Sequence, residues 1–243
     1  MVKRPIRIIA HRCRGYGEEE NTRAAFKKAL ASEVDEIEMD LQITGDRELV
    51  VWHNPHFSTL IGKKQLIRKT TLAEVKRHGL MSCEEALRLF KKKGQGKLLN
   101  IDIKKYGEEE QFVKLIQKYT LEKRVIVVSW IAKSLESIHT LAPSLELSYT
   151  FVPKVYTTKK NGMPVRPAFF LPKILNRLPL KTVNLVSHFL PVSRSIVTRI
   201  KKLGIDVVVC NEDTIPGNER LIKIGVGGSM TNKPKLLLEK YGK

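Results

Sequence analysis

Strand-like and helix-like segments alternate along the whole chain, and this alternation limits the folds that the chain can adopt. Eight strand-like runs are each followed by helical material; they cover residues 6–11, 36–41, 98–104, 125–130, 145–151, 182–187, 205–210 and 226–231. Eight such units in 243 residues predict a TIM (β/α)8 barrel of the α/β class. A doubly wound open sheet is the alternative, but no glycine-rich dinucleotide fingerprint follows the first strand.

One further strand-like run, residues 48–53, cannot be the next parallel strand. Only about four residues separate it from the second strand, whereas a parallel crossover needs about a dozen or more. Residues 36–53 are therefore predicted to form a β-hairpin that rises from strand 2 at the active-site face. If its turn is centred near Gly45 and Asp46, residue 53 lies opposite roughly residue 38, which returns His53 to the mouth of the barrel.

The composition favours one folded domain over 1–243, with a short cap segment at about 54–80. Hydrophobic residues make up 42% of the chain, which is too much apolar surface for a disordered protein. No apolar run approaches the roughly 20 residues that span a bilayer, and the N-terminus shows no signal-peptide pattern. Three cysteines without paired spacing argue against a disulfide framework or a cysteine zinc site. A cytoplasmic protein is expected, and peripheral association with a membrane is left open.

The charge balance is strongly positive, with 44 Lys and Arg against 25 Asp and Glu, a net of +19. Such a charge attracts polyanions, including nucleic acid, anionic lipid headgroups and phosphorylated small molecules. The basic residues are spread along the chain, and no zinc-finger or RRM signature is present, so a specific nucleic-acid partner is not expected. A non-enzymatic basic protein that binds polyanions remains one alternative function.

Charged residues cluster where the predicted strands end, and a TIM barrel carries its active site at those ends. Glu38 and Asp40 are two apart on one strand and share a face, and Asp102 and Lys104 repeat that spacing on the next barrel strand. Buried carboxylates are costly unless they are paired or bound to a metal. Mg²⁺ or Ca²⁺ would balance the excess negative charge with oxygen ligands, and a salt-bridge network with Arg12 and Lys104 is the alternative.

Two histidines, His11 and His53, are expected at the same mouth. A neutral and a protonated imidazole can serve as general base and general acid near neutral pH. Arg12 and Lys104 are candidates for binding a phosphate group. The remaining strand ends carry residues that could line the pocket, namely Ser129, Trp130, Tyr149, His188, Asn211 and Thr231.

An ordered series of short motifs resembles the glycerophosphodiester phosphodiesterase family over nearly the whole chain. No single motif is decisive, but the order and the separations together are highly specific. The motifs are His11-Arg12, Glu20-Asn21-Thr22, Ala25-Phe26, Ile37-Glu38-Met39-Asp40, Val50-Val51-Trp52-His53, Ser82-Cys83-Glu84-Glu85, Asn100-Ile101-Asp102-Ile103-Lys104, Asn211, Gly225-Val226 and Thr231-Asn232.

The resemblance implies a TIM barrel and a phosphodiesterase that depends on a divalent metal, Mg²⁺ or Ca²⁺. It implies hydrolysis of a small-molecule glycerophosphodiester to sn-glycerol 3-phosphate and an alcohol. Some relatives act on lysophospholipids in the manner of a phospholipase D, which is the alternative substrate class. Carried over by position, the metal ligands are Glu38, Asp40 and Asp102.

The same resemblance implies that His11 and His53 form the acid/base pair and that Arg12 and Lys104 contact the phosphate. It leaves open which histidine is the base, and whether the nucleophile is water or the 2-hydroxyl of the glycerol.

The chain departs from the family pattern at several positions near this site. Cys13 replaces the glycine after His-Arg, Asn54 replaces the aspartate after the second histidine, and Asp102 replaces a common glutamate. None of these changes removes a metal-binding or proton-transfer group. The segment between His53 and Thr71 is short, and such a compact cap is expected to leave the mouth open.

A Lys- and Pro-rich stretch, residues 152–180, follows the fifth strand and is predicted on the active face. One interpretation is a lip that dips into an anionic membrane surface, and the other is an ordinary helix packed on the barrel. The residues of the proposed lip are Phe169, Phe170, Leu171, Lys159, Lys160 and Arg166.

Overall fold

The computed structural model describes residues 4–59, 61–151, 171–188 and 191–242. The strands in these ranges are β1 (Arg7–Ala10), β2 (Glu36–Ile43), β3 (Leu49–Val51), β4 (His56–Ser58), β5 (Lys64–Leu66), β6 (Met81–Ser82), β7 (Leu98–Ile103), β8 (Val125–Ser129), β9 (Glu146–Phe151), β10 (Leu180–Val186), β11 (Asp206–Cys210) and β12 (Gly228–Thr231). The α-helices there are α1 (Arg23–Ala31), α2 (Leu72–Arg77), α3 (Cys83–Lys93), α4 (Glu109–Lys118), α5 (Ala132–Leu141), α6 (Leu171–Arg177), α7 (Arg194–Lys201), α8 (Ile215–Lys223) and α9 (Pro234–Tyr241).

Eight parallel strands in the described ranges, β1, β2 and β7 to β12, close into a barrel. Closure is visible at β1, which pairs with β12 on one side and with β2 on the other. Helices follow the strands and cover the outside. The predicted TIM (β/α)8 barrel is therefore confirmed, with each of the eight predicted strand positions occupied. The assignment of all of 1–243 to one domain stays a prediction.

The predicted hairpin on strand 2 is confirmed, with a register one residue from the expected one. β3 runs antiparallel to β2 and places Leu41 opposite Val51, so that residue 53 extrapolates to residue 39. The structure adds a third antiparallel strand that the sequence did not predict, because β3 also pairs with β6 and places Val50 opposite Ser82. The hairpin is thus held on both sides, which stabilises the chain directly before His53.

The predicted cap segment, residues 54–80, has its own short elements. β4 and β5 form a two-stranded antiparallel hairpin, which was not predicted. One turn of 3₁₀ helix, Ile67–Lys69, leads to α2, where Thr71 and Glu74 form a capping box. A small apolar cluster that includes Val50 and Phe57 packs the cap against β3. The cap is therefore a folded part of the rim beside the hairpin.

Alternation along the strands separates two faces. Residues such as Ile37 and Met39 face the helices and belong to the main apolar core, together with Phe26 of α1 and Phe90 of α3. The alternate positions of β2 point into the barrel. Among the described residues, no helix is both long enough and apolar enough to cross a bilayer.

A charged cluster that the sequence analysis did not anticipate lies at the amino-terminal ends of the barrel strands. Arg7 Nη1 lies 2.7 Å from Glu36 Oε1, and Arg7 Nη2 lies 2.8 Å from Asp206 Oδ2. Asn100 Nδ2 donates to the other oxygen of Glu36 at 2.7 Å. Because Glu36 is buried, its carboxylate depends on these two partners.

Replacing Arg7 by methionine is expected to lower the free energy of unfolding by about 2–3 kcal/mol, because the buried carboxylate of Glu36 loses the guanidinium that pairs with it. This is below the range for a fully buried pair, since the Arg7 and Asp206 side chains are 30% and 32% exposed. Denaturant unfolding measures the change. The matched control is Lys181→Met, whose partner Glu146 is on the surface and whose cost is expected below about 1 kcal/mol. Equal losses in the two variants would contradict the prediction.

Candidate active site

Three carboxylates meet inside the barrel at the carboxyl ends of β2 and β7. The strand register places Asp40 directly opposite Asp102, and Glu38 is two residues before Asp40 on the same face. Carboxylate oxygens of Glu38, Asp40 and Asp102 all lie within 4.8 Å of one another, and all three residues are buried. The structure thus brings together the predicted ligand set.

Two cations lie against these carboxylates. Lys104 Nζ lies 2.7 Å from Asp40 Oδ1 and 2.5 Å from Asp102 Oδ2. The backbone N–H of Arg12 donates to Glu38 Oε2 at 2.7 Å, and Arg12 Nε lies 3.4 Å from Asp40 Oδ2. The predicted phosphate-binding residues therefore lie beside the predicted metal ligands.

The cluster still holds an excess of negative charge. Burial, followed by the charge of Asp40, raises the pKa of Glu38 well above its usual range, and burial likewise raises the pKa of Asp102. Burial alone would also raise the pKa of Asp40, but Lys104 and Arg12 together bring it below the usual value. Protons and a metal cation would therefore compete for the same carboxylates.

Asp102 Oδ1 is buried and has no hydrogen-bond partner in the part of the chain that the structure describes. A buried, unpaired carboxylate oxygen is costly, and the salt bridges of Lys104 leave it unsatisfied. Oxygen donors alone, with net negative charge, suit a hard divalent cation. The residues present therefore fit a divalent metal better than a salt-bridge network alone.

His11 follows β1 in one turn of 3₁₀ helix, His11–Cys13. Its Nδ1 lies 2.8 Å from Asn232 Oδ1, and its Nε2 lies 3.9 Å from Cys210 Sγ. Burial, followed by the charge of Arg12, lowers the pKa of His11 to about 4. The ring is therefore neutral at neutral pH.

His53 follows β3 and is half-buried. Its Nδ1 lies 2.9 Å from Asn54 Oδ1, so the residue that replaces the family's aspartate still contacts the ring. Its backbone oxygen accepts from Gln42 Nε2 at 2.7 Å. Burial lowers the pKa of His53, whereas the charge of Asp40 opposes the shift. In both histidines the charge of Asp40 raises the pKa of the ring and the charge of Arg12 lowers it.

The turn after β1 has an unusual backbone at two successive residues. Arg12 and Cys13 have φ angles of 52° and 58°, in the left-handed region that favours glycine. Cys13 thus adopts the conformation that a glycine would take without strain. Its side chain is buried, and burial raises the pKa of its thiol, so it is not a reactive thiolate.

A model of the glycerophosphoryl diester phosphodiesterase family matches residues 11–236, more than nine tenths of the chain. The chain belongs to this family. The family membership makes it an enzyme of the phosphodiesterase class and confirms the resemblance carried by the sequence motifs. The matched region contains all seven predicted site residues, from His11 to Lys104.

Three known proteins are similar to this phosphodiesterase over nearly its whole length. A glycerophosphodiester phosphodiesterase of Caldanaerobacter subterraneus subsp. tengcongensis is 28% identical over 249 residues, covering 95% of this chain and 96% of that protein. A lysophospholipase D of Homo sapiens is 23% identical over 271 residues, covering 96% of this chain and 84% of that protein. The structure of an Oleispira antarctica phosphodiesterase in complex with the product sn-glycerol-3-phosphate has a TM-score of 0.73 at 20% identity, covering 96% and 95% of the two chains, and shows the same fold.

An open groove of about 550 Å³ lies beside the site of this phosphodiesterase. Trp52 and Asn54 line it from the hairpin, and Asn232 lines it from the end of β12. The groove therefore touches the contacts of both histidines and offers space for a substituent on the phosphate.

The other residues predicted at strand ends differ in burial. Ser129 is buried and donates to the backbone of Ile103, so it serves the barrel wall. Trp130 and His188 are exposed. Most of the proposed membrane lip lies outside the described part of the chain, namely Lys159, Lys160, Arg166, Phe169 and Phe170. For Leu171 only the backbone is described.

Sequence reasoning assigned no role to several polar residues that support the site. Asn21 is buried and donates to Asp40 Oδ2 at 2.8 Å, and Glu20 pairs with Arg12 at 3.2 Å. Asn232 contacts His11, and Asp213 contacts Asn232. Apart from Asp213, these residues stand in motifs that carry the family resemblance, which was the signal available for finding them.

Proposed function

We propose that this phosphodiesterase hydrolyses a glycerophosphodiester to sn-glycerol 3-phosphate and an alcohol, with Mg²⁺ or Ca²⁺ bound by Glu38, Asp40 and Asp102. The observation that carries the proposal is the buried carboxylate cluster, whose oxygens lie within 4.8 Å of one another. Family membership supports the reaction class. The Oleispira antarctica phosphodiesterase is in complex with the product sn-glycerol-3-phosphate, which supports a substrate that contains a glycerol phosphate group.

In this proposal the protein binds the diester with positive charge and moves protons with imidazole. Arg12 and Lys104 attract the phosphate and stabilise its developing charge. One of His11 and His53 takes the proton of the attacking hydroxyl, from water or from the glycerol 2-hydroxyl, and the other protonates the leaving oxygen. A bound divalent cation supplies Lewis-acid stabilisation of a phosphate oxygen.

A lysophospholipid is the second candidate substrate. The observation that favours it is the open groove beside Trp52 and Asn54, which leaves space for a long substituent. The human relative named lysophospholipase D supports the same class. A cytoplasmic location and contact with an anionic membrane surface stay predictions.

Removing divalent metal is expected to abolish turnover of glycerophosphocholine, because the phosphate then loses the Lewis-acid stabilisation that the proposed cation would supply. Purified protein is treated with EDTA, dialysed, and assayed with Mg²⁺, with Ca²⁺ and without metal. Activity is expected to return with at least one of the two ions. Lysophosphatidylcholine is assayed in parallel, and the ratio of kcat/KM decides between soluble diester and lipid. Full activity after metal removal would contradict the metal assignment, whereas no turnover under any condition would favour the basic polyanion-binding protein.

A further inference from the structure

The side-chain amide of Asn232 contacts His11 through its oxygen and Asp213 through its nitrogen. Its Oδ1 lies 2.8 Å from His11 Nδ1, and its Nδ2 donates to Asp213 Oδ2 at 2.8 Å. An ionised carboxylate only accepts hydrogen bonds. The NH₂ group of Asn232 must therefore face Asp213, which leaves its carbonyl oxygen for His11.

Asp213 is itself held in place by donors. Its Oδ1 accepts from Thr231 Oγ1 at 2.8 Å and from the backbone N–H of Asn232 at 2.7 Å. Burial alone would raise the pKa of Asp213, but its hydrogen bonds with Asn232 and Thr231 bring it below the usual value. Asp213 is thus ionised at neutral pH and orients Asn232.

A carbonyl oxygen at 2.8 Å requires a hydrogen on His11 Nδ1. A neutral ring then has its lone pair on Nε2, and Cys210 Sγ lies 3.9 Å from that atom. Burial raises the pKa of Cys210, so the thiol keeps its hydrogen and faces Nε2 as a weak donor. The charged groups that act on the ring are Arg12, Asp40 and Arg14.

We propose that Asn232 and Asp213 are positioning residues that hold His11 in the Nδ1–H tautomer, so that Nε2 accepts the first proton of the reaction. The inference rests on the proposed function. The attacking hydroxyl forms the new P–O bond and gives its proton to Nε2. The hydrogen on His11 Nδ1 stays there and remains hydrogen-bonded to Asn232 Oδ1. The P–O bond to the leaving group breaks with its electron pair on oxygen, and that oxygen takes a proton from His53.

Asp213→Asn is expected to invert the tautomer without touching His11. The backbone N–H of Asn232 still needs an acceptor, so the new asparagine keeps its oxygen there and turns its NH₂ towards the Asn232 side chain. Asn232 must then rotate its amide and present NH₂ to His11 Nδ1. His11 is left with its hydrogen on Nε2, where it cannot accept a proton, and kcat is expected to fall about 100-fold or more with KM little changed.

The double variant Asn232→Asp with Asp213→Asn is expected to restore the original tautomer. Asp at 232 accepts from His11 Nδ1–H and from the NH₂ of Asn at 213, so the bond with His11 keeps its original direction although the bond between 232 and 213 is reversed. We expect kcat to recover to within about 10-fold of wild type. Long-range ¹H–¹⁵N spectra of the imidazoles, at a pH where the rings are neutral, report the tautomer directly, and a His11→Gln variant assigns the His11 signals.

Glu212→Gln is the matched control, because it removes a neighbouring carboxylate that binds Thr214 and does not reach His11. It is expected to leave the His11 spectrum and kcat unchanged. The expected result is an Nδ1–H ring in wild type, an Nε2–H ring in Asp213→Asn and an Nδ1–H ring in the double variant. An unchanged ring in Asp213→Asn, or no recovery in the double variant, would overturn the proposal. The spectra need no turnover, so this outcome is separate from a failure of the proposed phosphodiesterase reaction.

Discussion

Alanine at His11 or at His53 is expected to lower kcat by about 100- to 10,000-fold, because each substitution removes one of the two groups that are proposed to transfer protons. Both rings experience the charges of Asp40 and Arg12. Steady-state turnover of glycerophosphocholine at saturating metal measures the loss. KM is expected to change less than kcat, because Arg12 and Lys104 still attract the phosphate.

His56→Ala is the matched control, because His56 is exposed on β4, three residues after His53. It is expected to retain turnover near that of wild type. Thermal melting of each variant separates loss of chemistry from loss of folding. A folded His11→Ala or His53→Ala protein with near-wild-type kcat would contradict the proposed role of that histidine in proton transfer.

Asp102→Asn is expected to lower turnover by at least about 100-fold at a fixed metal concentration, because it removes one of the three carboxylate charges that are proposed to hold the cation. It is also expected to abolish the rise in melting temperature that Mg²⁺ or Ca²⁺ produces by binding the folded state. Asp102 Oδ1 has no partner among the described residues, whereas Oδ2 is bound by Lys104, so the metal-induced shift tests the proposed metal contact more directly than stability alone does. Calorimetry with and without metal measures the second effect.

Asp102→Glu is the matched control for this variant, since it keeps the charge and restores the residue type that is common in the family. It is expected to retain a metal-dependent melting shift and measurable turnover. An unchanged metal-induced shift in Asp102→Asn would mean that Lys104 alone satisfies this carboxylate, as in the salt-bridge alternative.

The fold and the carboxylate cluster were predictable because they depend on local periodicity. Strand-like runs separated by helical material determine a closed parallel barrel, and a spacing of two puts Glu38 and Asp40 on one face. The hairpin register was predicted to within one residue, because a short turn leaves few choices. The paired strand β6 and the cap hairpin were missed, since two- or three-residue strands carry almost no periodic signal.

What the sequence determined by itself is the barrel, the positions of the charged strand ends and the family resemblance. The tertiary structure alone decided which polar groups pair across the barrel. Asn232 meets His11 across 221 residues of chain, because closure places Thr231 beside Ala10 at the seam between β12 and β1. Arg7 meets Asp206 in the same way. Such hydrogen bonds depend on side-chain directions that exist only after the last strand has closed the barrel, so no pattern along the chain encodes them.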